Sequence, residues 1–334
     1  MTQSHIIHTD FSKISAQQLK TLLRSPNANF FQTPKVADFF KTTGLEHFVF
    51  AIERDEEIMA LISGIIQKEK GVKSSLTRRA IIFGGPVFSE NATDEDITQV
   101  LEHTVKTLKK KAIYIELRNL NDYSKYKHLF EKCGFDYVPH LNFHLDCSDD
   151  QAMRKRMSSS KLRQVKKSLK TGAEIKEATH QDEITAYYNI LHHLYTTKVK
   201  TPLPDLDFFM NMWKEKAAKF LLIHYQNEII GGIVCPILEN QVIYEWFVCG
   251  KDGQYKNVYP SILATWAAME YASTHQIPRF DFMGAGKPDE DYGVRDFKSK
   301  FGGELVEHGR FLYVAQPLLY QLGKTAVKIL KSTS

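Results

Sequence analysis

The segment FVFAIERDEEIMALISGIIQKE, residues 48–69, has a counterpart in FLLIHYQNEIIGGIVCPILE, residues 220–239, at an offset of 172 residues. Each copy places two apolar runs on either side of a short polar turn (Arg54-Asp55-Glu56-Glu57 in the first), which is the pattern of an antiparallel hairpin. The helix and strand patterns at 97–111 and 113–118 recur at 260–275 and 279–283. FEKCGFDYVPHLNF, from Phe130, lies over KSKFGGELVEHGRF, from Lys298, at an offset of 168, matching Gly134 with Gly302, His140 with His308 and Phe143 with Phe311. The order hairpin, strand, helix, strand, helix, strand therefore occurs twice, and a repeated order of this kind constrains the chain to two similar units. Each unit reads as α/β, a mixed sheet with helices on its faces.

The chemistry concentrates in residues 277–311, IPRFDFMGAGKPDEDYGVRDFKSKFGGELVEHGRF. Arg279-Phe280-Asp281-Phe282 alternates as a strand and runs into Gly284-Ala285-Gly286, a loop at a strand end where a site can form. Asp289 or Asp291 is expected to cap a helix with Val294, Phe297 and Phe301 at i, i+3 and i+7, stopped by Gly302-Gly303. Lys298 then sits about 100° around from Phe297, beside the apolar stripe. Residue chemistry alone allows it to snorkel over the core or to serve the site.

Charge is unevenly distributed. The net charge is +5, yet residues 151–170, QAMRKRMSSSKLRQVKKSLK, hold eight Lys or Arg and no acid. This predicts one basic helix whose apolar edge is Met153, Met157, Val165 and Leu169. It reads equally as a solvated linker or as a phosphate-facing surface, for RNA, a nucleotide sugar or a lipid head group, with Arg163, Lys166 and Lys167 in contact. Cys133, Cys147, Cys235 and Cys249 stand singly without CxxC spacing, so buried thiols are expected, and no metal site. A start without a positively charged apolar leader, and no run of 18 apolar residues, lead to the expectation of a cytoplasmic chain.

The repeated order resembles the acyltransferase fold of the GNAT superfamily, and two such units in tandem resemble the FemABX family of peptidoglycan bridge aminoacyltransferases. RFDFMGAG with FKSKFGG is similar to that family's strand, glycine loop and phenylalanine-lysine pair. SKLRQVKKSLKTGAEI is similar to its basic inter-domain helix, and YTTKVKTPLPDLDFF to its segment of a basic residue, a proline and a helix. The resemblance implies transfer of an amino acid from aminoacyl-tRNA to an amine on a peptidoglycan precursor that is nucleotide- or lipid-linked. It implies Lys298 as the cation at the reacting ester, Phe297 as the packing that fixes it, and Asp281 or Glu245 as proton acceptor. Lys35 and the pair Lys198 and Lys200 fall where the family binds substrate phosphates, although lysine lacks the bidentate grip of the family's arginine.

Acyl-CoA enzymes of the superfamily cradle pyrophosphate in a glycine-rich loop at a helix start. The corresponding stretches here, residues 253–260 with Tyr255 as a ligand-facing candidate, and residues 89–94, lack those glycines. No cofactor is therefore expected, and the alternative is an N-acyltransferase that takes an acyl group from coenzyme A or a carrier to another envelope amine. A non-catalytic module that binds envelope precursors is a further alternative. Residues 177–220 are too few for the long helical arm of some members, which makes this the armless form. The expected units are 1–147 and 148–314. Residues 315–334 are expected to form an amphipathic helix with Leu318, Leu319, Leu322, Val327, Ile329 and Leu330, returning to the first unit or lying on a membrane surface. A monomer with peripheral membrane contact completes the expectation.

Overall fold

The computed structural model describes residues 5–68 and 77–332, with side chains followed to residue 325. Glu69 of the first hairpin copy and the side chains of Val327, Ile329 and Leu330 lie outside the described residues. The chain forms two compact units, Met1–His140 with Glu307–Ser334, and Leu141–Val306.

In the first unit, β1 (Ile6–His8), the hairpin β2 (Glu46–Arg54) and β3 (Glu57–Gln67), β4 (Arg79–Gly84), β6 (Tyr114–Asn119), β17 (Arg310–Val314) and β7 (Asp136–Val138) make one sheet in that spatial order. The short β5 (Val87–Phe88) pairs with β3. The pair β4 and β6 is parallel, and α3 (Asp94–Leu108) makes the crossover between them. Its apolar stripe, Ile97, Val100, Leu101 and Leu108, is buried against Phe50, Ile52, Ile62 and Ile115 of the sheet. The unit also holds the helices α1 (Ala16–Leu22), α2 (Pro34–Thr42) and α4 (Lys127–Lys132). Ser15 and Gln18 close a capping box at the start of α1, and Pro34 opens α2 where its missing N–H costs nothing.

The second unit holds two sheets. One has the order β14 (Phe247–Gly250), β11 (Glu228–Cys235), β10 (Lys219–Tyr225) and β9 (Glu174–Glu177). The other runs β12 (Ile237–Leu238), β13 (Val242–Tyr244), β15 (Arg279–Asp281), β8 (Leu141–Asp146) and β16 (Glu304–Glu307). Its helices are α5 (Asp150–Arg156), α6 (Ser159–Lys170), α7 (Gln181–Leu194), α8 (Leu206–Lys214), α9 (Pro260–Thr274) and α10 (Gly293–Ser299). Residues apolar on all sides make α9 the central helix, with Leu263, Ala264, Trp266, Ala268 and Met269 fully buried. Tandem units on the α/β plan of the GNAT fold are thus present, the hairpin β2–β3 answering to β10–β11.

Three expectations are corrected. The boundaries 147 and 314 move to 140 and 306, because the closing strand of each repeat joins the sheet of the other unit. β8 pairs with β15 at Leu145↔Phe280 in the second unit, and β17 pairs with β6 at Phe311↔Leu117 in the first. The basic stretch is two helices, not one, since Ser158 is extended and its hydroxyl accepts from the Lys161 amide to start α6. Neither Asp289 nor Asp291 caps α10, which begins after Tyr292, and Val294 is 41% exposed rather than part of a buried stripe. The tail forms α11 (Pro317–Ser332), whose Tyr320 ring meets Tyr114 of the first unit at 5.3 Å, while Leu318 and Leu322 are 83% and 66% exposed. Among the described residues no helix is long and apolar enough to cross a membrane.

Candidate functional site

Strand β15 delivers Asp281 to the head of a tight turn, residues 282–286. Met283 takes a left-handed φ of 55°, which is unusual for a side chain that large and is held by what surrounds it. Asp281 is inaccessible. Its Oδ1 accepts from the Met283 amide at 2.7 Å and from Asn142 Nδ2 at 2.8 Å, and its Oδ2 lies 3.0 Å from His144 Nε2. Burial alone would raise its pKa, but His144, Asn142 and the Met283 amide outweigh burial and hold it below the usual carboxylate range. Asn142 Oδ1 in turn accepts from the Gly284 amide at 2.7 Å, and the Phe282 and Ala285 amides donate to Phe143 and Leu141 carbonyls. Four successive turn amides are therefore spent inside the fold, so any charge that stabilises a reacting group here must come from side chains.

Two cations hold the carbonyls of the same turn. Lys298, on α10, is buried, and its Nζ donates to the Phe282 carbonyl at 2.5 Å and the Gly284 carbonyl at 2.9 Å while lying 3.1 Å from Glu245 Oε1. Those contacts match its three N–H donors in number. Arg295, one turn earlier on the same helix, donates through Nε to the Ala285 carbonyl at 2.9 Å and through Nη2 to the Glu290 carbonyl at 3.0 Å and the Lys287 carbonyl. Glu245 is anchored by its own amide, which donates to the Asp281 carbonyl at 2.9 Å, and its Oε2 accepts from Thr265 at 3.2 Å. Burial pushes the Glu245 carboxyl up, and the neighbouring Lys298 cation only partly opposes this.

The residues singled out from the sequence fall as follows. Lys298, Glu245 and Asp281 meet at this turn, and Phe297 packs beside them with its ring 5.2 Å from Phe301. Asp281 and Glu245 are both locked in buried contacts, which makes them anchors of the turn. Arg163 is exposed on α6, and Lys198 and Lys200 are exposed at the end of the helical segment that follows α7. Lys35 is exposed in the first turn of α2, in the first unit, whereas these three lie in the second. Tyr255 donates to Glu228 at 3.2 Å and meets Tyr225 edge-on, on the sheet that contains β11. Sequence reasoning missed Arg295, Asn142 and His144. Arg295 is three residues before Lys298, a spacing that puts both on one helix face and would have revealed it.

The starts of α9 and α3 occupy the places where an acyl-CoA enzyme needs free amides. Pro260 opens α9 without an N–H, and the following amide, that of Ser261, donates to Asp252 Oδ1 at 3.1 Å. Thr93 and Asp96 close a capping box at the start of α3, whose first turn is Asp94-Glu95-Asp96, and Asp96 is paired with Arg54 at 3.1 Å. Among the described residues no three His, Cys, Asp or Glu side chains gather as metal ligands.

Residues 215–328 match the FemAB family model. The aminoacyltransferase FemA of Staphylococcus epidermidis is 28% identical over 127 residues, which cover 36% of this chain. The match spans only 30% of that relative's length. Among solved structures, one of FemX superposes with a TM-score of 0.73 at 15% identity, covering 96% of this chain and 99% of that one. The C-terminal domain of a putative lysylphosphatidylglycerol synthetase from Agrobacterium fabrum gives 0.59 at 12% identity, covering 93% and 97%. A tandem GNAT protein of the clavulanic acid pathway gives 0.54 at 8% identity, covering 93% and 99%. At these identities the superpositions speak for the fold.

Proposed function

Because the chain belongs to the FemABX family, we propose that it is an aminoacyltransferase that carries an amino acid from aminoacyl-tRNA to an amine on the stem peptide of a peptidoglycan precursor. The neutral acceptor amine attacks the ester carbonyl, the new C–N bond forms as the bond from the carbonyl carbon to the ribose oxygen breaks, and the proton lost by nitrogen ends on the ribose oxygen as its hydroxyl. An ester is already activated, so the protein's task is to align the amine and to stabilise charge on oxygen. With the turn amides engaged, Lys298 and Arg295 supply positive charge at residues 282–286, and Phe297, beside Lys298 on the same helix, packs on Phe301. Within the second unit, Lys198 and Lys200 serve as contacts for substrate phosphates; Lys35, in the first unit, is a separate candidate carried over from the resemblance. Leu318 and Leu322 suit a peripheral contact with the membrane that carries a lipid-linked acceptor.

The observation that carries the choice of donor is the pair of helix starts. Each already has a carboxylate where pyrophosphate would sit, Asp252 at α9 and the acidic first turn of α3, and a carboxylate there repels a second anion. This favours an RNA-borne acyl group over coenzyme A. Side-by-side incubation of the full chain with aminoacyl-tRNA and with acetyl-CoA, each with a precursor mixture, tests it. Transfer from the RNA ester and none from the thioester is expected. The reverse pattern would overturn the reading in favour of an acyl-CoA N-acyltransferase.

A further inference from the structure

Helix α10 is seven residues long, fewer than two turns, and a helix that short does not hold itself in water. Its place is therefore set by what grips it. On one side Arg295 and Lys298 grip the carbonyls of the turn 282–286. On the other side lies the junction of α5 and α6. The Ser158 amide donates to the Lys300 carbonyl at 2.9 Å. Gly302, at a φ of 87°, lies so close to the Arg156 backbone that a Cβ there would fall 2.6 Å from the Arg156 carbonyl. Both contacts hold the far end of α10, beyond Phe297.

Lys161 reaches Phe297 itself. α6 buries Lys161, Val165 and Ser168, which fall at i, i+4 and i+7 and so share one face. The Lys161 ammonium lies 4.2 Å from the ring centre of Phe297 and 5.6 Å from that of Phe301. Phe301 is fully buried and fixed by the core, whereas Phe297 is half-buried and has Phe301 on one side and the Lys161 cation on the other. Buried ammonium groups are normally paired with carboxylates, since desolvation is costly, yet among the described residues none forms an ion pair with Lys161. Aromatic faces are what this cation has in exchange. Burial and the nearby charge of Lys300 push its pKa down to about 8, with Asp252 opposing, which leaves it charged at neutral pH. We propose that Lys161 is a positioning residue for transfer: its cation holds the Phe297 ring, and the ring fixes the angle at which Lys298, the next residue, meets the turn 282–286. This deepens the transferase reading and rests on it.

The test is a double-variant cycle on the full chain. The kcat, the KM for the donor and the melting temperature are measured for Lys161→Met, for Phe297→Leu and for both together, with aminoacyl-tRNA and acetyl-CoA as separate donors. Lys161→Met should lower kcat about tenfold with KM unchanged, the effect of one desolvated cation–π contact. Lys161→Arg, whose guanidinium also stacks on aromatic faces, should restore kcat. In the Phe297→Leu chain, which has no ring to hold, the same Lys161→Met change should alter kcat by less than about twofold. The melting temperature of Lys161→Met should equal or exceed that of the unmodified chain, because an apolar side chain replaces a buried cation without an ion pair. Unchanged kcat in Lys161→Met, equal fold losses in the two backgrounds, or a lower melting temperature would each overturn the inference and leave the donor reading standing. Transfer from acetyl-CoA alone would overturn the donor reading, with the same cycle, run on the thioester, upholding or overturning the inference by the same ratios. Transfer from neither donor would remove both.

Discussion

Replacing Lys298 by Met removes the cation from an ion pair whose side chains are 11% and 2% exposed. Glu245 is then stranded, at a cost of about 3–5 kcal/mol, and the Phe282 and Gly284 carbonyls lose their donor at about 1 kcal/mol each. At about 2–4 °C per kcal/mol for a unit of this size, the second unit should melt at least about 10 °C lower. Glu245→Gln leaves Lys298 its two carbonyls and should cost less, about 1–3 kcal/mol. In the double variant no charge is stranded, so its loss should fall short of the sum of the single losses by at least about 2 kcal/mol. Sign matters for pH: burial already holds the Glu245 pKa above its unfolded value, and loss of Lys298 pushes it further up. A group with a raised folded pKa loses stability as pH rises through that value, so the Lys298→Met penalty should be smallest in acid and grow toward neutrality. Urea unfolding of the four proteins at several pH values measures this cycle. Strictly additive losses with no pH dependence would refute the electrostatic account of the turn.

Two further predictions concern the first unit. His47, between the Phe11 and Phe40 rings, is held down to about 4 chiefly by burial, so stability from its neutral form is complete above about 6.5 and is lost as pH falls toward 4. His47→Gln should flatten the stability profile over that window in a urea titration. Glu116 bridges Arg118 and Arg310 at 2.8 Å each; burial would raise its pKa, yet the two guanidinium groups hold it at about 2. That bridge should stabilise the unit above about pH 4.5 and be lost as pH falls toward 2, which Glu116→Gln should abolish in acid unfolding curves. In the second unit, Arg163, Lys166 and Lys167 changed together to Gln should lower the log–log salt slope of tRNA binding by roughly 2–3, and an unchanged slope would leave the exposed face of α6 as solvated surface.

The duplicated order was legible because hairpin, helix and strand periodicities survive even when few residues do. The destination of the closing strands was not. LNFHLD of β8 and RFLYV of β17 are both half-apolar runs that suit either sheet, and the choice is made by distant partners, Phe280 for β8 and Leu117 for β17. Lys298 beside Phe297 was visible as a pair, but its burial depends on Glu245, a residue from another strand end that no local pattern links to it. The cap of α10 failed for a related reason: Arg295 gathers the carbonyls around Asp289 and Asp291, and Tyr292 is left to start the helix.

The central claim is that the charge of Lys298 acts on the acyl group in transfer, beyond holding the turn. It is tested most directly by the single-turnover transfer rate of the Lys298→Met, Glu245→Gln double variant against Glu245→Gln alone, with aminoacyl-tRNA as donor and both proteins kept well below their melting temperatures. The account predicts a rate about a hundredfold lower in the double variant, about 3 kcal/mol of barrier, with the fold intact. Equal rates in the two proteins would contradict it and leave Lys298 as a clamp on the turn.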